Sequence, residues 1–136
     1  MEVLNVTVLG DPVPKARPRF SKGRTYTPKR TKEYEQRIRA QLPKISIPQD
    51  LPVHVTITAV LKRPKRLQRK SDPQGLIPHT KRPDTDNITK AVLDALNHIL
   101  HDDSQAYSIS AQKFYAEIDG QPRTIITIKD MTHEHQ

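Results

Sequence analysis

The sequence predicts an α/β (α+β) domain: a small mixed β-sheet of about four strands with two main helices packed on it. Three observations support this class. Apolar and polar residues alternate in four short segments, as they do in half-buried strands. Apolar residues recur every three or four positions in two other segments, as they do in amphipathic helices. Turn-forming residues separate these segments.

Residues 2–9 form the first predicted strand, because aliphatic side chains occupy every second position from Leu4. A loop rich in proline and basic residues follows. Thr27 and Pro28 then have the pattern of an N-cap and a first helical position. They open a helix that is expected to run to about Leu42, with apolar residues four apart along one face.

The second half of the chain begins with the strand that alternates most clearly, residues 53–61. Residues 62–83 have no periodicity, several prolines and dense positive charge, which predicts a long functional loop. Apolar spacing predicts the second helix from about 86–101. Two final strands, 107–118 and 123–129, are expected to pair as a hairpin through the Asp-Gly-Gln-Pro segment between them.

Length and composition indicate one domain over residues 1–130, with a flexible C-terminal tail at 131–136. Cysteine is absent, which excludes disulfides and thiolate zinc sites. The N-terminus has no secretory signal pattern, and no apolar run approaches the ~18 residues of a membrane span. We therefore expect a cytoplasmic protein that is not bound to a membrane. The net charge of +8 favours an anionic partner, most simply nucleic acid.

Against this basic background, acidic residues are concentrated between positions 84 and 103. The segment holds five aspartates and one lysine: Asp84, Asp86, Asp94, Asp102, Asp103 and Lys90. Oxygen ligands without histidine or cysteine suit Mg²⁺, or Mn²⁺ in its place. Such a site could activate water for attack on a phosphodiester. The alternative is structural: an N-cap at the helix start and a salt-bridged ladder of Asp86, Lys90 and Asp94, which share one helical face.

The pair Asp102-Asp103 is expected to end the second helix, where the helix dipole disfavours negative charge. A bound cation would compensate for that placement. The sequence therefore predicts that carboxylates from both ends of the second helix, those of Asp84 and Asp86 and of the pair Asp102-Asp103, meet around a shared ion. Lys90 would face charge that develops on a phosphate, or would only balance its acidic neighbours.

Basic residues precede the acidic segment in three groups that could bind DNA phosphates. These candidates are Lys15, Arg17 and Arg19, then Lys62, Arg63, Lys65, Arg66, Arg69 and Lys70, and finally Lys81 and Arg82. The alternative for the second group is a solvated loop. Phe20 and Tyr26 are interpreted as core residues, with base stacking as the alternative. His79, His98 and His101 are too scattered for a metal site and are interpreted as loop and surface residues.

The order Asp84-x-Asp86-Asn87-x-x-Lys90, then a Leu-Asp-Ala-Leu segment and Asp102-Asp103, resembles the RusA-type Holliday-junction resolvases of bacteria and their prophages. The Gly-Asp-Pro-Val-Pro-Lys segment from residue 10 fits the version common in Gram-positive bacteria. The resemblance implies a homodimer that binds four-way DNA junctions and makes paired symmetric nicks with Mg²⁺.

Carried over by motif, the resemblance implies essential acids at Asp84, Asp86 and Asp103 and an essential lysine at Lys90. The role of Asp94, and whether Asp102 or Asp103 binds the metal, stay open. The sequence thus predicts a nucleoid-associated, Mg²⁺-dependent endodeoxyribonuclease of DNA recombination and repair. The alternatives are a non-catalytic basic module that binds nucleic acid, and a nuclease for other branched DNA.

Overall fold

The structure, a computed structural model, describes residues 1–17, 19–26 and 28–132. The side chains of Arg19 and Tyr26, and most of the predicted tail (133–136), lie outside this description. The described residues form strands β1 (Glu2–Leu9), β2 (Arg19–Ser21), β3 (Arg24–Tyr26), β4 (Val53–Leu61), β5 (Ile77–Pro78), β6 (Ala106–Tyr115) and β7 (Arg123–Asp130), and helices α1 (Lys29–Gln41) and α2 (Thr85–Leu96).

The main sheet has five strands in the order β1-β7-β4-β6-β5 and is mixed. Strand β4 lies at its centre, antiparallel to β7 and parallel to β6. The sheet and its two helices confirm the predicted α+β class. Strands β2 and β3 form a separate hairpin within the segment interpreted as loop. Its turn residues Lys22 and Gly23 have φ of 52° and 76°, the left-handed conformation that a tight hairpin requires.

The predicted pairing of the last two strands is wrong. Strand β4 lies between β6 and β7, so they are not neighbours. The turn itself forms, since Asp119 has φ of 67°. After this turn the chain passes β4 and pairs on its far side. Strand β4 is the most apolar strand, and the central position pairs both edges of β4 and buries the inward face of β4.

One face of the sheet carries the core and receives both helices. Every second residue of β4 from Val53 to Ala59 is buried, in register with the buried Ile126 and Ile128 of β7. Tyr34 of α1 crosses this core. Its hydroxyl lies 2.6 Å from the hydroxyl of Thr124, and burial raises the pKa of Tyr34 to about 12.

Two helix boundaries differ from the prediction. Pro28 occupies the N-cap of α1 rather than the first helical position, and Thr27 lies outside the described residues. Helix α2 ends at Leu96 instead of about residue 101. The apolar pattern continues beyond the helix because Ile99 is buried in an irregular turn. The carbonyl of Ile99 accepts a hydrogen bond from the backbone N–H of Ile47, 2.9 Å away, and not from a residue of the same helix.

Candidate functional site

Helix α2 places two exposed carboxylates at its N-terminus, where the helix dipole favours negative charge. Asp84 occupies the N-cap position, and its backbone carbonyl accepts a hydrogen bond from Ile88 at 3.2 Å. Its carboxylate, however, makes no capping hydrogen bond. The carboxylate of Asp86 accepts a hydrogen bond from the backbone N–H of the next residue, Asn87, at 2.9 Å. The capping alternative therefore explains the backbone of Asp84 but leaves its carboxylate available for another role.

The N-terminal loop is fastened to α2 by Lys15. Its backbone N–H donates to the carbonyl of Asn87 at 2.8 Å, and its ammonium lies 3.0 Å from carboxylate oxygens of both Glu35 and Asp94. Burial acts to lower the pKa of Lys15, but hydrogen bonds to Asp94 and Glu35 outweigh it and raise the pKa. The sequence placed Lys15 among the phosphate contacts. In this structure the ammonium instead joins the loop to both helices.

The acidic pair Asp102-Asp103 does not end α2, as expected, but lies in a separate 3₁₀ turn beyond it. Asp102 accepts a hydrogen bond from the backbone of Ser104 at 2.9 Å, and such bonding lowers its pKa. Burial, followed by the charges of Asp94 and Asp102, raises the pKa of Asp103. Its Oδ1 is buried without a hydrogen-bond partner among the described residues. Of the pair, Asp103 is therefore the residue with a buried carboxylate oxygen that lacks a partner among the described residues.

The described residues contain no group of three or more His, Cys, Asp or Glu side chains arranged to hold a metal ion. The helix-dipole argument also fails, because Asp103 lies seven positions after the last residue of α2, Leu96. Two observations still fit a divalent cation. The donors are all hard oxygens, which Mg²⁺ prefers, and a cation would satisfy the buried Oδ1 of Asp103. The assignment of metal ligands remains a prediction.

The salt-bridged ladder expected as the structural alternative on α2 is not formed. Asp94 pairs with Lys15, and Lys90 has no ion pair within the described part of the chain. Its side chain is exposed. Lys90 is therefore available to face an anionic ligand.

Arg63 differs from the other basic candidates because it is only 4% exposed. Its guanidinium donates to three backbone carbonyls of its own loop, those of Leu67 at 2.8 Å, Pro73 at 2.6 Å and Gly75 at 3.1 Å. The expectation that Arg63 contacts phosphate is corrected by this burial. It holds the loop together from inside.

The remaining described candidates stay on the surface. Their side chains are exposed, as phosphate contacts require: Arg17, Lys62, Lys65, Arg66, Arg69, Lys70, Lys81 and Arg82. Phe20, interpreted as a core residue, is 75% exposed on the β2–β3 hairpin. That interpretation was wrong, and base stacking is the alternative that fits its exposure.

A cavity of about 620 Å³, here called the Asp84 groove, opens beside the start of α2. Three exposed cations line it, Arg30, Lys62 and Arg82, together with Asp84 itself. His79 also lines the groove and is 9% exposed. Its interpretation as a surface residue is wrong, whereas His98 and His101 are exposed as expected.

The wall between His79 and Asp84 is fixed by Lys113. Its ammonium donates to the carbonyls of Lys81 at 2.6 Å and Pro83 at 2.7 Å. Burial, and after it the positive charge of Lys113, lowers the pKa of His79. The centroid of the His79 ring lies 4.4 Å from that of Tyr115. The imidazole is therefore a neutral part of the wall at neutral pH.

Sequence reasoning missed Arg30, Glu35 and Lys113. Arg30 and Glu35 gave no signal, because a charged residue on an amphipathic helix is ordinary. Lys113 did give one: it lies at an inward position of β6, in line with Ile109 and Ala111. A lysine at an inward register position needs a polar partner, and here the partners are the carbonyls that precede Asp84.

Together the fold and this site define a small α+β domain with carboxylates at a helix start and cations around them. The family model for the endodeoxyribonuclease RusA matches residues 10–129, and the chain belongs to this family. The predicted family is thus confirmed, and membership indicates an endodeoxyribonuclease. The chain is also similar to the uncharacterized protein YqaN of Bacillus subtilis (strain 168). The two sequences are 31% identical over an alignment of 145 positions, which covers 97% of this chain and 99% of the relative.

Proposed function

We propose that this protein is a Mg²⁺-dependent, homodimeric endodeoxyribonuclease that resolves four-way DNA junctions in recombination and repair. The observation that carries the proposal is the position of Asp84: an exposed carboxylate, unused for capping, in the wall of a groove lined by cations. Acids that hold a cation, next to cations that attract phosphate, are the two requirements for hydrolysis of a phosphodiester. Family membership supports this use of the site.

Asp84, Asp86 and Asp103 would hold the Mg²⁺, which supplies polarisation of the phosphate and a nucleophilic water. The exposed Lys90 would neutralise charge that develops on the phosphate. Asp94 would act indirectly, since its ion pair with Lys15 ties the N-terminal loop to α2. Since the described part of one chain contains no group of three carboxylates arranged to hold a metal ion, we propose that the site is completed only in the DNA-bound dimer.

The homodimer is proposed because a four-way junction needs two matched cuts, and a two-fold dimer presents two identical sites. The outer edge of β6 supports a second copy. Strand β5 pairs with this edge only at Tyr115 and Phe114, within the residues described. Tyr107 and Ile109 are 50% and 42% exposed further along the same strand. Exposed apolar side chains beside so short an edge strand form a surface suited to self-association.

Candidate DNA contacts are the exposed basic residues predicted from the sequence, of which Lys62 and Arg82 line the Asp84 groove. Each neutralised phosphate adds about −0.9 to the slope of log affinity against log salt. The part of the chain that the structure describes contains no helix long and apolar enough to cross a membrane. A cytoplasmic, nucleoid-associated protein of a bacterium or its prophage is part of the proposal.

The test is cleavage of synthetic four-way junctions with Mg²⁺ by the wild type and Asp86→Asn. Loss of a metal ligand should reduce the rate by roughly a hundredfold or more, since even outer-shell changes at metal sites cost about 10- to 100-fold. Asp119→Asn, at the exposed turn between β6 and β7, is the matched control and should cut normally. Undiminished cutting by Asp86→Asn would contradict the assigned ligands.

One observation favours the rival, a non-catalytic module that binds nucleic acid: the lack of a three-carboxylate group among the described residues. That module would bind junctions equally with and without EDTA and would hydrolyse none of them. Forks and flaps tested beside four-way junctions separate a resolvase from a nuclease of other branched DNA.

A further inference from the structure

We propose that the Asp84 groove binds one unstacked nucleotide of the DNA strand that is cut, next to the scissile phosphate. The inference rests on the proposed nuclease function for its biological role. Its physical basis is independent of that function, because it uses the size, charge and wall chemistry of the groove.

The charge of the groove favours an anion. Its three cations, Arg30, Lys62 and Arg82, face two acids, Asp11 and Asp84. Within the described residues, none of the three cationic side chains is held by an ion pair or a side-chain hydrogen bond. They therefore remain available to a phosphate, whose charge-assisted hydrogen bonds are the stronger kind.

The size and walls of the groove favour more than a phosphate. Its volume of about 620 Å³ lies within the roughly 300–1,000 Å³ typical of sites for organic ligands. Three prolines and Leu61 contribute apolar surface, and the neutral ring of His79 adds an aromatic edge. A nucleotide combines an anionic phosphate with a flat, largely apolar base, and so uses both kinds of wall.

The wall is formed before any ligand binds. His79 packs against Tyr115, and Lys113 holds the segment before Asp84 through two carbonyls. A rigid pocket loses little conformational entropy when it is filled. Unstacking a base costs a few kcal/mol, least where pairing is already disturbed, so a branch point is the part of DNA that could supply the nucleotide at lowest cost.

The first experiment titrates the full-length protein with deoxycytidine 5′-monophosphate, without metal or DNA, and follows the His79 ring signals by NMR. Assignment uses the His79→Gln variant. We expect millimolar nucleotide to shift the His79 signals, and inorganic phosphate to shift them much less. Equal shifts from the two ligands would show that the groove binds anions in general and does not recognise a base, which would contradict the inference. The absence of a His79 shift with nucleotide would overturn the inference.

The second experiment uses a matched pair of exposed residues on α1. Arg30→Gln removes a cation from the groove, and Lys32→Gln removes one two residues away, outside it. Arg30→Gln should weaken nucleotide binding about tenfold, the loss expected for one charge-assisted hydrogen bond. Lys32→Gln should bind as the wild type does. Equal weakening by both variants would indicate general charge attraction and contradict a specific pocket.

These measurements separate the inference from the proposed function. If the protein cleaves junctions but binds no nucleotide, the nucleotide pocket is wrong and the proposed nuclease function stands. Nucleotide binding with no cleavage of any branched DNA would remove the nuclease, and the groove would remain a nucleotide site without the role proposed for it.

Discussion

Arg63 should determine whether the basic loop after β4 is ordered, although its own charge is not presented to DNA. Its buried guanidinium makes three hydrogen bonds to loop carbonyls. Each such bond to a charged group contributes about 1.5–3 kcal/mol, so the three together contribute at most roughly 4.5–9 kcal/mol. The carbonyls of Pro73 and Gly75 belong to exposed residues and would regain water when freed. We therefore expect opening of the loop to become easier by roughly 2–4 kcal/mol.

The variant that tests this is Arg63→Lys, which keeps the charge but cannot make the forked set of bonds. Trypsin can cut the loop only when it opens, and the loop carries exposed sites at Lys65, Arg66, Arg69 and Lys70. A difference of 2–4 kcal/mol in opening corresponds to cleavage faster by about 30- to 1,000-fold. Arg69→Lys makes the same substitution at an exposed position of the same loop and serves as the control.

If Arg63→Lys is cleaved no faster than Arg69→Lys, the loop is not held by the guanidinium, and the reasoning fails. Junction affinity gives a second readout. Because Arg63→Lys keeps the charge, a role as a phosphate contact predicts nearly unchanged binding. A role in shaping the loop predicts weaker binding.

Three further expectations concern stability. Tyr34→Phe leaves the Thr124 hydroxyl buried without the partner that lies 2.6 Å away. It should therefore lower the free energy of unfolding, measured by urea denaturation, by about 1–3 kcal/mol. Thr124→Val in the same background should recover part of that loss. The folded pKa of Tyr34 is raised to about 12, so its contribution is complete below pH 10 and is lost as pH rises towards 12. The stability difference between wild type and Tyr34→Phe should therefore shrink by roughly 2–3 kcal/mol over that range, and a constant difference would contradict the assignment. Lys15→Met leaves two carboxylates, Glu35 and Asp94, without their shared cation. It should lower the free energy of unfolding by about 2–4 kcal/mol, and Glu35→Gln in the same background should restore part of that loss. An unchanged unfolding midpoint would show that the ion pairs are not stabilising.

Local patterns predicted the helices and strands well, because side-chain periodicity follows directly from backbone geometry. Strand β4 begins and ends where alternation predicted, and β1 does as well. The pattern failed beyond Leu96, where Ile99 is buried without being helical. Burial requires only that a side chain face the core, so an apolar residue in a turn satisfies the same pattern.

The strand order could not be read from the turn between the last two strands. Asp119 does turn the chain, but a turn sets only the direction of the next segment. Which strand becomes the neighbour depends on how the most apolar strand is buried, and that is decided by the whole sheet. The order in which β4 separates β6 from β7 is therefore a tertiary property.

The same division applies to the site. The sequence by itself determined the family, the acidic segment and the excess of positive charge, since these depend only on residue type and spacing. Only the tertiary structure decided which charges are available. Arg63 and Lys62 are adjacent in the chain, yet one is buried among carbonyls and the other lines the Asp84 groove. Lys15 likewise has its charge taken up by Glu35 and Asp94. The physical reason is that a charge acts through its distance to partners and to water, and the fold fixes both.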